Sequence, residues 1–506
     1  MDLGSESPVQ LDFLRFAREM ATQHLSAVPE ERFDIDWGTY AKGANRPKAY
    51  LEKIRSSVEE LSRVKVEAAC FIKDECYAEI KYPRTIAALP FETMAIMSPV
   101  TKVLETELFV HSKLAKYFVK KIPVCNRPAK IEELFGEDAV VLGDFSSFEC
   151  HHRGVFAKAV KFVFFRLLGD NGSHKIREAF SSYLTGHNSL KFKKTGIKAT
   201  IQETLMSGAP WTSFANATLC FLIVSYLRLR DKFPDDSPKI LASRIASFKG
   251  LVEGDDSITA GRAYNVGLIA GLQVKLKSEV HAHCGTASFC GIIKPPRIDA
   301  VLTDPVKVVC NFFHLPKVMI GVGEKKQRSY LRSKALSYYY QYRTCPVVAH
   351  LCEAVLKRTA GVHVINSHLT YHREEVLKEA LSKGDKFWKR EPEVCAQSRH
   401  MVAELFHLQV GEQLQLEEFF RNFGLGKVNQ NFQFGPVFDK YVRNGILCLS
   451  PRSDPSTSHA PNTREFAHDR GRWIDPSQLA STSTKQASAA FSPTMLTVPN
   501  FTAGLQ

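Results

Sequence analysis

Residues 251–258 read LVEGDDSI. Apolar Leu251 and Val252 lead into Gly254 and two adjacent carboxylates, Asp255 and Asp256, and apolar Ile258 closes the stretch. Glycine and aspartate between two apolar runs predict short strands joined by a tight turn, because these residues suit hairpin backbone angles. Read alone, the stretch is an acidic β-turn. The two carboxylates repel each other unless a cation sits beside them.

A second acidic group lies over a hundred residues earlier, in "DAVVLGDFSSFE". The apolar run Ala139–Leu142 reads as a buried central strand, and Asp144 follows it. Alone, such a carboxylate is more simply a helix cap. If the strand lies beside the hairpin, Asp144 and Asp255 point into one site. Such a site suits Mg²⁺, which takes one or two carboxylates and fills its shell with phosphate oxygens. A two-metal pair about 3.5–4 Å apart activates an attacking hydroxyl and stabilises a leaving pyrophosphate.

Between the two acids comes "SGAPWTSFANATLC". Thr212 and Asn216 are four residues apart and share one helix face. Two small polar groups on an apolar helix suit a sugar hydroxyl; a routine helix cap with a solvated Asn is the plainer alternative.

The bulk composition agrees with a polyanionic partner. The 506 residues carry a formal charge of +14, and the pI is about 9.1, a balance that favours nucleic acid. A basic enzyme that binds no nucleic acid is the competing reading. Twelve cysteines occur without a CxxC pair, which suggests a reduced chain rather than a disulfide framework. His281, His283 and Cys284 come closest to a zinc set but lack an evident fourth ligand. The first residues resemble neither a signal nor a transit peptide. The apolar run Ala217–Leu227 is too short to span a bilayer and reads as a buried helix. From Ser450 onward the chain is rich in Ser, Thr and Pro, a composition expected of disorder.

Other segments complete an ordered set. Upstream stand "FIKDECYAEIKYPRTI" and, less clearly, "YAKGANRPKAY"; downstream stand "GLQVKLK", "ASFCG" and "LRSKALSYYYQYRTCPVV". With "DFSSFE", "SGAPWTSFAN" and "GDD" they resemble, in order, the motifs of RNA-dependent RNA polymerases from positive-strand RNA viruses, in the tombus-like and noda-like region. The resemblance runs from about Gly43 to Val348.

The resemblance implies an α+β right-hand fold with an antiparallel palm sheet. The expected division is residues 1–138 for the N-terminal region and fingers, 139–160 for the first palm motif, and 161–203 for a fingers insertion. Palm at 204–293, a helical thumb at 294–449 and a disordered tail at 450–506 would follow. Asp144 and Asp255 would hold Mg²⁺, with Mn²⁺ able to substitute, and Asp256 would be a more peripheral acid. Lys73, Lys81 and Arg84 would cover a triphosphate. Asn216, helped by Ser207 and Thr212, would read the ribose 2′-hydroxyl, and Gly208 would give its loop freedom to shift. Glu149 stands where the family usually has Asp, so its partner is Asn216 or a ribose hydroxyl. Lys275 would protonate pyrophosphate, with Lys277 as competitor. Arg46 and Lys48 would contact template phosphates. Phe289 and Cys290 would support the primer strand or, alternatively, pack the hairpin. Tyr338–Tyr340 read as helical core rather than a base-stacking surface.

The implied activity is replication and transcription of a viral RNA genome. Its partners would be template and product RNA, ribonucleoside triphosphates and other viral replication proteins. The expected location is the host cytoplasm, in a membrane complex anchored by another protein. A reverse transcriptase shares the palm, but Asn216 and the Gly before the acid pair argue against it. An RNA-binding protein with an inactive palm is the other alternative, opposed by the intact Asp144, Asp255 and Asp256.

Overall fold

The computed structural model describes residues 6–33, 67–73, 84–171, 174–185, 187–192, 195–313, 319, 322–365, 369–384 and 390–422. Arg46, Lys48, Lys81 and the tail from Ser450 lie outside the described residues.

Helix α1, Pro8–His24, starts where Ser7 caps the Gln10 N–H and Gln10 reaches back to the Ser7 N–H. This reciprocal box satisfies two helix-end donors, and Pro8 suits a first-turn position that has no N–H to offer. Its buried face is Phe13, Leu14, Phe16, Ala17, Met20 and Ala21. Strands β1 (Glu67–Ile72) and β2 (Thr85–Ala88) follow, then helices α2 (Phe91–Thr106) and α3 (Arg127–Phe135). Strand β3, Val140–Phe145, precedes α4 (Gly154–Leu168) and α5 (His174–Thr185). Strands β4 (His187–Phe192) and β5 (Lys198–Gln202) lead to α6, Thr212–Lys232.

Helix α6 is long and apolar enough to cross a membrane, yet most of its apolar window is buried inside the protein. It therefore serves as the central core helix, as the apolar run in the sequence suggests. Phe214, Phe221 and Tyr226 on it pack against Phe109, Tyr117, Phe164 and the α1 phenylalanines.

After α7 (Pro238–Ser243) come β6 (Gly250–Glu253) and β7 (Asp256–Ala260), then α8 (Val266–Leu272) and β8 (Leu276–His281). A helical region follows: α9 (Pro305–Phe312), α10 (Glu324–Tyr342), α11 (Val348–Arg358), α12 (Tyr371–Ser382), α13 (Ala396–Phe406) and α14 (Val410–Asn422). These helices share their own core, which includes Leu336, Tyr339, Leu351, Val355, Leu377 and Val402. Tyr339 and Tyr340 are buried, in keeping with a packing role for that aromatic run.

The fold is α+β, with two four-stranded sheets among the described residues. One has the order β2-β1-β4-β5, with β1 and β4 parallel and its other pairs antiparallel. The other, β6-β7-β3-β8, is antiparallel throughout. In it the apolar run of β3 is central, as its pattern predicts. Val141 and Val252 face the α6 core, while Val140, Leu251 and Ile258 face a smaller cluster with Ile131, Phe135 and Phe289. A sheet buried on both faces explains why β3 reads as a continuous apolar run rather than an alternating one.

Candidate functional site

The geometry follows from the pleat. Alternate residues of a strand share a face, so Asp144 lies on the side of Val140 and Leu142, and Asp256 on the side of Ile258. Gly143 pairs with Ser257, which places Asp144 beside the start of β7. The two-residue turn Gly254-Asp255 joins paired Glu253 and Asp256. Gly254 has φ +62°, the left-handed angle that favours glycine at the first turn position. The structure thus brings together the two acidic groups expected from the sequence.

Two clefts meet at Asp144. The larger, about 530 Å³, is lined by Asp144, Asp255, Glu149, Ser207, Lys73 and Arg84 among others. The smaller, about 150 Å³, is lined by Asp144, Asp256, Lys277, Glu279 and Cys290 among others. The larger therefore collects acids from the β3 sheet and its hairpin together with cations from the β1 sheet. Lys73 and Arg84 are held side by side at the ends of β1 and β2, where the Lys73 N–H donates to the Arg84 carbonyl at 2.9 Å.

The acids disfavour one another's ionisation. Burial, with Glu149 and Asp144 nearby, raises the Asp255 carboxyl above its ordinary range. Burial and the charges of Asp255, Asp144 and Glu253 push Asp256 up to about 6. Glu253 is a participant that sequence reading missed. It sits opposite Asp256 across the hairpin, and burial raises its carboxyl too. Only the strand register reveals it, because the residue is unremarkable in a linear motif.

Helix α6 supplies a stripe behind the turn. Thr212, Asn216 and Cys220 recur every four residues and so share a face. The buried Cys220 thiol points at the carbonyls of Asp255 and Asp256, at 3.6 and 3.9 Å. Thr212 Oγ1 donates to the Met206 carbonyl at 3.0 Å. Glu149 does not meet Asn216, one of its two expected partners; its Oε1 accepts from Ser207 Oγ at 2.9 Å. Asn216 Oδ1 is bonded instead to His152 Nε2 at 2.9 Å, and His152 is a second missed residue. Ser207 and Glu149 line the larger cleft; Thr212 and Asn216, half-buried on α6, do not.

Gly208 has a different reason from the loop freedom expected of it. Its φ is +110°, and a Cβ there would meet the Ala87 carbonyl oxygen at 2.7 Å. The Ala87 N–H also donates to the Ser207 carbonyl at 2.7 Å, so the loop is pinned to β2. Close approach to β2 is a reason for the glycine that the sequence does not display.

The geometry separates two further sets of residues. Lys277 pairs with Asp144 in the register and lines the smaller cleft. Lys275 precedes β8, and its N–H donates to His151 Nε2 at 2.9 Å; it lines neither cleft. Phe289 is only 2 % exposed and packs with Val140 and Ile258, the alternative to contacting RNA. Cys290 Sγ lies 3.9 Å from Asp256 Oδ2.

The zinc set also dissolves. The Cys284 thiol points at the Gly136 and Lys294 carbonyls, His283 Nδ1 accepts from the Gly285 N–H, and His281 faces Glu279 and Thr286. Among the described residues, no three His, Cys, Asp or Glu side chains form a ready-made metal cage. The acids of β3 and the hairpin suit an ion that needs only part of its shell from protein. Mg²⁺ is such an ion, and its charge would offset the repulsion that raises Asp255 and Asp256.

No known family model matches the chain, and no curated protein matches it.

Proposed function

We propose that this chain is an RNA-dependent RNA polymerase with a right-hand fold. The β3 sheet would be the palm, the β1 sheet part of the fingers and the C-terminal helices the thumb. The observation that carries the reading is one cleft lined by Asp144 and Asp255 from the β3 sheet and its hairpin and by Lys73 and Arg84 from the ends of β1 and β2. Acids that hold cations, together with cations that neutralise phosphate, are what transfer of a nucleotidyl group from pyrophosphate to a 3′-hydroxyl requires.

Asp144 and Asp255 would hold Mg²⁺, or Mn²⁺ in its place, with Asp256 at the edge. Bound there, the ions would lower the cost of ionising the attacking 3′-hydroxyl and of releasing pyrophosphate. The chain's own groups do the rest. Lys73 and Arg84 would hold the triphosphate against the acidic wall, oriented for in-line attack. Glu149 and Ser207, already bonded to each other, would form the polar floor beneath the sugar, with the half-buried Asn216 amide beside them reading its 2′-hydroxyl. Lys277, opposite Asp144, would give a proton to the leaving pyrophosphate. The partners would be template and product RNA, ribonucleoside triphosphates and other replication proteins, one of which would anchor the enzyme to a host cytoplasmic membrane.

Purified protein given an RNA primer–template, Mg²⁺ and ribonucleotides should extend the primer, and Asp255→Asn should abolish extension. Full activity in Asp255→Asn would sink the assignment of that carboxylate. Extension with deoxyribonucleotides as readily as with ribonucleotides would favour a reverse transcriptase instead.

A further inference from the structure

Two adjacent histidines end the turn after β3, and they do different work. His151 accepts the Lys275 N–H and so ties the turn to β8. His152 is fully buried, packed edge-on to Phe148 with ring centroids 5.4 Å apart. Its Nε2 lies 2.9 Å from Asn216 Oδ1, and its Nδ1 is buried with no hydrogen-bond partner.

Those contacts determine the proton's place. Burial holds the imidazole neutral, pushing it down to about 3, so the ring carries a single N–H. A proton on Nδ1 would be a buried donor without an acceptor, which proteins rarely tolerate. On Nε2 it donates to Asn216 Oδ1. The Asn216 amide is then oriented with its oxygen toward His152 and its NH₂ group turned away. Two neighbouring polar groups are already engaged as donors: Ser207 to Glu149 and Thr212 to the Met206 carbonyl. The Asn216 NH₂ is the donor this set leaves for a ligand.

We propose that His152 is a positioning residue that orients the Asn216 amide toward the sugar of a bound nucleotide and thereby sets preference for ribose over deoxyribose. A 2′-hydroxyl gives the NH₂ group an oxygen to bond; a deoxyribose leaves it without one. The proposal rests on the polymerase reading.

The test compares kcat/KM for a matched ribonucleotide and its 2′-deoxy analogue in wild type, His152→Leu and His152→Gln. In His152→Leu the ribose preference should fall about tenfold, the worth of one hydrogen bond. The loss should appear mainly as a higher KM for the ribonucleotide. His152→Gln, which retains an amide donor, should recover most of the preference. Equal losses for both nucleotides, with the ratio unchanged in a folded variant, would overturn the proposal while leaving the polymerase reading intact. A wild-type chain that incorporates neither nucleotide would overturn the polymerase reading and the proposal with it. If His152→Leu fails to fold, ¹⁵N spectroscopy of labelled histidine in the intact protein decides the tautomer. The proposal requires the Nε2–H form, and an Nδ1–H form contradicts it.

Discussion

At the scale of single residues, Asp256 carries a conflict between stability and proposed function. Its carboxyl rises from an ordinary 3.8 to about 6 through burial and its acidic neighbours. A group raised on folding binds its proton more tightly in the folded state. The contribution of Asp256 to stability is therefore greatest below about 3.8, falls as pH rises through 6, and stays lower above it. Asp256→Asn should stabilise the metal-free protein at pH 7–8 and leave it unchanged near pH 3. The gain should not exceed about 1 kcal/mol, because solvent reaches this side chain and screens it. Thermal melting at the two pH values checks this, and equal effects at both would refute it.

The two lysines separate in the same way. Lys277→Leu should lower kcat by about 10²-fold with little change in KM, the usual worth of a general acid. Lys275→Leu should change kcat far less. Single-turnover incorporation measures both, and the opposite order would restore Lys275 as the donor. At this scale the sequence was most legible where carboxylates end an apolar run beside a glycine or each other: Asp144, Asp255 and Asp256. It was least legible where partners come from strand register or burial. Glu253 joins the acidic set only because β6 pairs with β7, and His152 meets Asn216 only because the β3 turn packs on α6.

At the scale of elements, hairpin, central strand and core helix could all be read from apolar patterning and turn residues. The reason for Gly208 could not, because Ala87 lies far away in sequence. Gly208→Ala should destabilise the protein by about 2 kcal/mol, since it combines a left-handed φ with a Cβ pressed on a backbone oxygen. A shift in the urea midpoint measures this; an unchanged midpoint would mean that β2 gives way easily.

The C-terminal helices have a buried anchor of their own. Glu417 on α14 is 1 % exposed and accepts from both Arg399 guanidinium nitrogens at 2.9 Å and from the Val347 N–H at 2.9 Å. His350 stands 3.2 Å away. Burial alone would raise this carboxyl, but the bonds from His350, Arg399 and Val347 outweigh it and hold it at about 2. A depressed value means stability present above about 4.5 and lost as pH falls toward 2. Glu417→Gln should cost about 3 kcal/mol at pH 7, because it leaves the buried Arg399 without its counter-charge. The loss should shrink as pH approaches 2, which calorimetry across that range can follow. No sequence motif marks this cluster; only the packing of α14 on α11 and α13 assembles it.

At the scale of the whole molecule, the C-terminal helices meet the body at a definite point. Glu379 on α12 accepts the Val124 and Cys125 N–H groups at 2.8 and 3.1 Å and the Tyr340 hydroxyl at 2.8 Å. One carboxylate thus joins the helical region to the segment that leads into α3 and β3. The acidic cleft occupies a small part of a chain that carries a net +14. A local negative wall in a positive body matches the proposed chemistry, in which cations at the acids act on a polyanion held by the surroundings. The strand and hairpin that carry the acids were legible as apolar runs ending on Asp and Gly; how the sheets and helices close around them depends on distant contacts that the sequence does not display.

The most direct test is addition of one nucleotide to a defined RNA primer–template in Mg²⁺, read as a product one residue longer. The account predicts extension only by the ribonucleotide complementary to the template, and none with Asp255→Asn. Tight RNA binding by folded wild-type protein with no extension in either Mg²⁺ or Mn²⁺ would contradict it.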